Sequence, residues 1–137
     1  MYETFEHTAD VGLRIRAATL DELLAEAAHG LYALIVPAQS SVRLATVYRI
    51  ELTAEAPDLL LFDWLSELLY VYETRHLLLA AFEVHLAETR LTAICRGEPI
   101  DPARHVLDHE VKAITYHGLK VEHLPDGSWL AEVIVDI

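Results

Sequence analysis

The spacing of apolar residues divides the chain into alternating and helical stretches. From Val11 to Ala17 the two kinds of position alternate, with Val11, Leu13, Ile15 and Ala17 on one face and Gly12, Arg14 and Arg16 on the other. That is the period-two signature of a half-buried strand. Thr19 and Glu22 then stand at capping-box spacing, where each can satisfy a free N–H at a helix start. Leu20, Leu23, Leu24, Ala27, Ala28, Leu31 and Leu34 follow at intervals of three and four. They predict an amphipathic helix with Asp21, Glu22, Glu26 and His29 toward water, ended by Pro37. Val42, Leu44, Thr46, Tyr48, Ile50 and Leu52 share one face of a second strand, with Arg43, Arg49 and Glu51 opposite. Pro57 suits a first helical position, since its missing N–H is unbonded there anyway. From Asp58 to about Thr74 the pattern is apolar nearly all round, which predicts a central, buried helix.

In the second half, Leu77 to Leu86 and Arg90 to Arg96 read as strands joined tightly near residues 87–89. Gly97-Glu98-Pro99-Ile100-Asp101-Pro102 reads as a loop by its breakers. Glu110 to Ile114 and Tyr116 to Leu124 are strand-like, Pro125-Asp126-Gly127-Ser128 is a turn, and Trp129 to Ile137 alternates as a last strand. Two helices among six or more strands predict an α+β (mixed α/β) architecture. The expectation is a single domain over residues 1–137, two main helices on a mixed, largely antiparallel sheet.

Composition narrows the function. With 53% hydrophobic and 23% charged residues the chain is too apolar to be disordered. Ten cationic against twenty-two anionic side chains leave a formal charge of −12, which argues against direct nucleic-acid binding. No apolar run approaches the roughly 20 residues of a membrane span. The acidic start, Met1 to Glu6, carries no apolar signal segment, so a cytoplasmic location is expected. The single cysteine, Cys95, allows no internal disulfide or cysteine zinc site and reads as a small core residue. His105 and His109 are four apart but flank a loop-to-strand transition, a poor zinc spacing. No Gly-rich phosphate loop or Ser/His/Asp order is legible. The acids in Phe62-Asp63-Trp64-Leu65-Ser66-Glu67 read as one wet helix edge.

Two acids stand out. Asp10 lies in Glu6-His7-Thr8-Ala9-Asp10-Val11-Gly12, where small Ala9 and flexible Gly12 leave room around a carboxylate; the plain alternative is a turn in which Asp10 bonds its own backbone. Asp136 ends an apolar strand, which by itself means only that the strand has reached solvent. Ile137 follows, and its α-carboxylate is a further hard oxygen ligand. Three negative groups near one point raise one another's pKa unless a cation is present. Oxygen-only ligation suits Ca²⁺ or Mg²⁺. Lys112, one of two lysines, neutralises such a cluster if its strand runs alongside.

The chain resembles the archease family. Four blocks carry the likeness: Glu6 to Gly12; Leu61-Phe62-Asp63-Trp64-Leu65-Ser66-Glu67-Leu68-Leu69-Tyr70; Gly97-Glu98-Pro99 with Asp101-Pro102 and His105; and Glu110 to His117 running on to Val135-Asp136-Ile137. The resemblance implies an accessory protein without catalytic activity of its own, which promotes GTP-dependent guanylylation and multiple turnover of an RtcB-type RNA (tRNA-splicing) ligase. The family's metal-binding acids fall on Asp10 and Asp136, with the terminal carboxylate of Ile137 as a further ligand, and its functional lysine falls on Lys112. The alternatives are a small metal-dependent hydrolase using the same acids, a chaperone-like interaction module, and a plain structural domain.

Overall fold

The computed structural model describes residues 1–7 and 10–137; Thr8 and Ala9, and with them the expected room at Ala9, lie outside the described residues. In chain order the elements are β1 (Tyr2–His7), β2 (Asp10–Ala17), α1 (Leu20–Ile35), β3 (Thr46–Thr53), α2 (Pro57–Arg75), β4 (Leu77–Ala87), β5 (Arg90–Pro99), β6 (Ala113–Ile114), β7 (Lys120–His123) and β8 (Trp129–Asp136). The expected α+β class holds, and the strands divide into two sheets. One has the order β1-β2-β8, with β6 and β7 both paired to β8; the other is β3-β5-β4. Among the described residues every pairing is antiparallel.

Both helices bridge the sheets. α1 packs on β2 of the first and β4 of the second, while α2 meets α1, β3, β4, β6 and β7. The α1 start keeps one half of the expected capping box, the Thr19 hydroxyl accepting the Glu22 N–H at 3.2 Å; the reciprocal bond from the Thr19 N–H to Glu22 is absent among the described residues. Leu23, Leu24, Ala27, Ala28 and Leu31 are fully buried, as are Leu61, Trp64, Leu65 and Leu68 of α2. Two side chains tie the helices at their polar tips: Trp64 Nε1 donates to the Leu24 carbonyl at 2.8 Å, and the Tyr32 hydroxyl to the Leu68 carbonyl at 3.2 Å. Large aromatic rings thus enter the core without stranding a polar atom. No helix among the described residues is long and apolar enough to cross a membrane.

Alternation sends every second residue of the first sheet outward. One outward row, Glu3, Arg14, Glu132 and Lys120, crosses four strands in register. It is linked by ion pairs of 3.2 Å, 3.3 Å and 3.4 Å.

One strand is added and two expectations are corrected. Tyr2–His7 is a strand that its pattern hides, since Thr4 is paired with buried Leu13 yet exposed, and Phe5 lies over Gly12 on the other face. Gly97-Glu98-Pro99 is the end of β5, not a loop: Gly97 lies opposite Leu79, where β4 shifts register between Leu79 and Ala81. A Cβ at Gly97 would stand 1.8 Å from the Leu78 carbonyl oxygen, so glycine here marks close approach of two backbones. Finally, only Ala113–Ile114 and Lys120–His123 of the two strand-like stretches after residue 110 pair with a neighbour, because β8 offers one free edge and the intervening residues turn between its two ends.

Candidate functional site

β2 and β8 run antiparallel side by side, and their register makes Asp10 and Asp136 direct partners. Partners across such a pair project to the same face, here the outer one shared with Gly12 and Arg14. Asp136 has Ala113 of β6 as its neighbour on the other side, and the Lys112 N–H donates to the Asp136 carbonyl at 2.8 Å. Three chain segments distant in sequence therefore converge at one end of the sheet.

Inward neighbours anchor this end: Val11 and Val135 pair beside the acids and belong to the core. On the outer side Phe5 lies across Gly12, where a Cβ would stand 2.1 Å from the ring. Its ring also receives the Arg14 guanidinium, 4.8 Å from the centroid. Glycine in the Asp10-Val11-Gly12 run thus makes room for an aromatic ring beside the acid pair.

The Asp136 carboxyl is held above the usual carboxylate range. Its hydrogen bond to Asp10 is the largest cause, followed by partial burial and the Asp10 charge, while the Lys112 ammonium pulls the other way. Two carboxylates driven together in this way share a proton or accept a cation. Ile137 follows directly, half-buried against the core. Among the described residues no three His, Cys, Asp or Glu side chains converge enough to hold a metal ion. The two carboxylates are hard oxygen donors, and a divalent ion held by them would need its remaining ligands from main-chain or terminal oxygens and water.

A second cluster, missed at the level of sequence, fixes the segment that carries Lys112. Buried Glu98 accepts the Arg43 N–H at 2.6 Å and hydrogen-bonds His105 Nε2 at 3.0 Å and the Arg104 guanidinium. His105 Nδ1 accepts the Asp101 N–H at 2.8 Å, which leaves the ring proton on Nε2, facing Glu98. The Arg43 N–H, then Arg104 and His105, hold the Glu98 carboxyl down at about 2 against the opposing effect of burial. Beyond the clamp, Asp108 and His109 donate N–H bonds to the Ile35 and Leu34 carbonyls at the end of α1, at 2.9 Å and 3.0 Å. His105 is therefore a structural residue. One signal could have exposed the cluster: the inward run Leu91, Ala93, Cys95 continues in register to Gly97.

Residues 2–137 match the Archease protein family (MTH1598/TM1083). The chain is 39% identical to the protein named archease of Pyrococcus abyssi over 140 residues, covering 99% of this chain and 98% of that one. It is 41% identical to that of Methanopyrus kandleri over 142 residues, with 99% of each covered. Among solved structures, Methanobacterium thermoautotrophicum protein 1598 superposes with a TM-score of 0.88 at 34% identity, covering 99% and 98% of the two chains. A Thermotoga maritima crystal structure, described as an archease and possible chaperone, shares the fold with a TM-score of 0.67 at 23% identity, over 100% and 98%.

Proposed function

The chain belongs to the archease family, and from that premise we propose that it is an accessory factor of an RtcB-type RNA ligase. In this reading it promotes GTP-dependent guanylylation and repeated turnover of the ligase and has no substrate of its own. It acts through a divalent ion of the Ca²⁺ or Mg²⁺ class held by Asp10, Asp136 and the α-carboxylate of Ile137. The observation that carries the reading is the direct cross-strand pairing of Asp10 with Asp136.

The chemistry follows from the residue types. Carboxylates at neutral pH are acceptors only, so Asp10, Asp136 and the terminus can coordinate but not donate. When bound, the ion supplies positive charge and open coordination positions for phosphate oxygens. Lys112, held beside Asp136 through its own main chain, balances the acids or contacts a phosphate as a point charge. The acid pair stands half-buried at a sheet end, and the formal charge of −12 favours encounter with a basic, RNA-binding partner.

The test is transfer of labelled GTP to purified ligase, with and without the protein. Wild type is expected to raise both the labelled fraction and the number of turnovers. Asp10→Asn and Asp136→Asn are expected to fold normally and lose the stimulation; full stimulation by either would refute the role. A generic phosphoester screen separates the hydrolase reading, which requires activity of the isolated protein that disappears in Asp136→Asn.

A further inference from the structure

Beside the acid pair, an open groove of 480 Å³ runs between the last turn of α2 and the segment leading into β6, lined by Tyr72, Glu73, His76, Glu110, Val111 and Lys112. Its volume lies in the range of about 300–1,000 Å³ typical of ligand sites. The polar side-chain atoms of Tyr72, Glu73, His76, Glu110 and Lys112 make no hydrogen bond or ion pair with another described residue. By contrast, Glu3, Glu51, Glu83 and Glu132 are each paired with arginine.

The groove has a direction of charge. Its lining carries two carboxylates, Glu73 and Glu110, against one ammonium, that of Lys112, whose charge also acts on Asp136, so the groove as a whole is negative. Both carboxylates act on a common point, since after partial burial the Glu110 and Glu73 charges are what push the Tyr72 phenol upward. Val111 is 3% exposed and, with the Tyr72 ring, supplies an apolar floor. That combination suits a side chain with a hydrocarbon stem and a cationic head. The rim is fixed by His76, a non-glycine residue held at φ 54° by N–H donation to the Tyr72 carbonyl at 3.0 Å and acceptance from the Ile100 N–H at 2.8 Å.

We propose that this groove receives an arginine or lysine side chain presented by a segment of the partner protein. The inference rests on the reading that the Asp10–Asp136 end faces such a partner, and it names how that partner is gripped. The chain's net negative charge disfavours a nucleic-acid occupant. Lys112 belongs to both features, so a residue seated in the groove sets its own chain beside the acid pair. Further along the same segment Tyr116 is 63% exposed and stacks on Phe62 with 3.8 Å between centroids, an aromatic anchor of the kind enriched at protein interfaces.

The test is titration of the full-length protein with a short blocked Gly/Arg peptide and a Gly/Glu peptide of equal length, followed by amide chemical shifts. The Arg peptide is expected to perturb residues 72–76 and 110–112, the Glu peptide not. The Glu73→Gln/Glu110→Gln double variant should bind the Arg peptide roughly five- to tenfold more weakly while keeping its melting temperature and its response to Ca²⁺. Shifts spread evenly over the acidic surface, equal response to both peptides, or unchanged affinity in the double variant would overturn the proposal. In the ligase-labelling assay the double variant should require more protein for half-maximal stimulation, and an unchanged requirement would also overturn it. Failure of wild type itself to stimulate, with selective Arg-peptide binding intact, would instead count against the ligase reading alone.

Discussion

Gly97→Ala tests the claim that β5 runs through Gly97-Glu98-Pro99 and that backbone contact there positions the Glu98 clamp. The new Cβ would meet the Leu78 carbonyl oxygen at 1.8 Å, the Leu78 carbonyl carbon at 2.7 Å and the Leu79 Cα at 2.8 Å. All three are main-chain atoms, so no rotamer change relieves the overlap. β4 must retreat by more than about 1 Å to reach an ordinary contact distance. That stretches the ladder bonds around Leu78–Glu98 and Leu79–Gly97, worth about 1 kcal/mol each, and adds overpacking strain of about 1–3 kcal/mol. The reduced freedom of alanine in the unfolded chain returns about 0.4–1 kcal/mol. A net loss of about 2–4 kcal/mol follows, or roughly 10 °C in melting temperature for a domain of this size. Urea and thermal unfolding followed by far-ultraviolet circular dichroism measure it. Gly127→Ala is the control, since Gly127 has φ +90° but open space around it, and should lose only about 1 kcal/mol through backbone strain. A melting temperature for Gly97→Ala within about 2 °C of wild type would refute the reasoning.

Glu98, with its carboxyl held at about 2 against about 4.3 in the unfolded chain, contributes stability that is complete above the unfolded value and is lost as pH falls through the folded one. Glu98→Gln should therefore flatten the acid limb of a melting-temperature profile over that window; parallel wild-type and variant curves would contradict the assignment. Trp64→Phe removes the bond to the Leu24 carbonyl and opens space in a fully buried site, so it should lose about 2–3 kcal/mol by urea titration, and a loss below about 0.5 kcal/mol would contradict the packing. Burial pushes the Cys95 thiol up to about 12, and iodoacetamide at pH 8 should label it only at the rate of unfolding, whereas rapid native labelling would show it accessible.

The parts of the fold written in local patterns were legible. The alternation from Val11 to Ala17, the Thr19 cap and the existence of α2 each follow from a few neighbouring residues; α2 is less enclosed than its apolar run predicts, because Leu59 and Tyr70 face solvent. What local pattern could not carry was pairing. Asp10 and Asp136 each read as an acid at a strand end, but their adjacency depends on β2 and β8 being neighbours in the sheet, a contact across most of the chain. The division of strands between two sheets is likewise a property of the helices that separate them. Gly97 and Pro99 misled because breakers end strands when backbone hydrogen bonds are lost, whereas here glycine admits a close partner strand and proline sits at the strand's last position. The groove escaped notice because Tyr72, Glu73 and His76 close a helix without the glycine that ordinarily marks a left-handed helix end.

The most direct measurement of the central claim is calorimetric titration of Ca²⁺, and separately Mg²⁺, into wild type, Asp10→Asn, Asp136→Asn and a chain extended beyond Ile137. Saturable, single-site binding of at least one of these ions to wild type is expected, with its loss in both asparagine variants and weakened binding when the terminal carboxylate is carried away. Metal-free Asp136→Asn is also expected to melt no lower than wild type, because the substitution relieves a carboxylate pair instead of breaking a favourable contact. An isotherm unchanged by Asp136→Asn, or no binding of either ion by wild type, would contradict that claim.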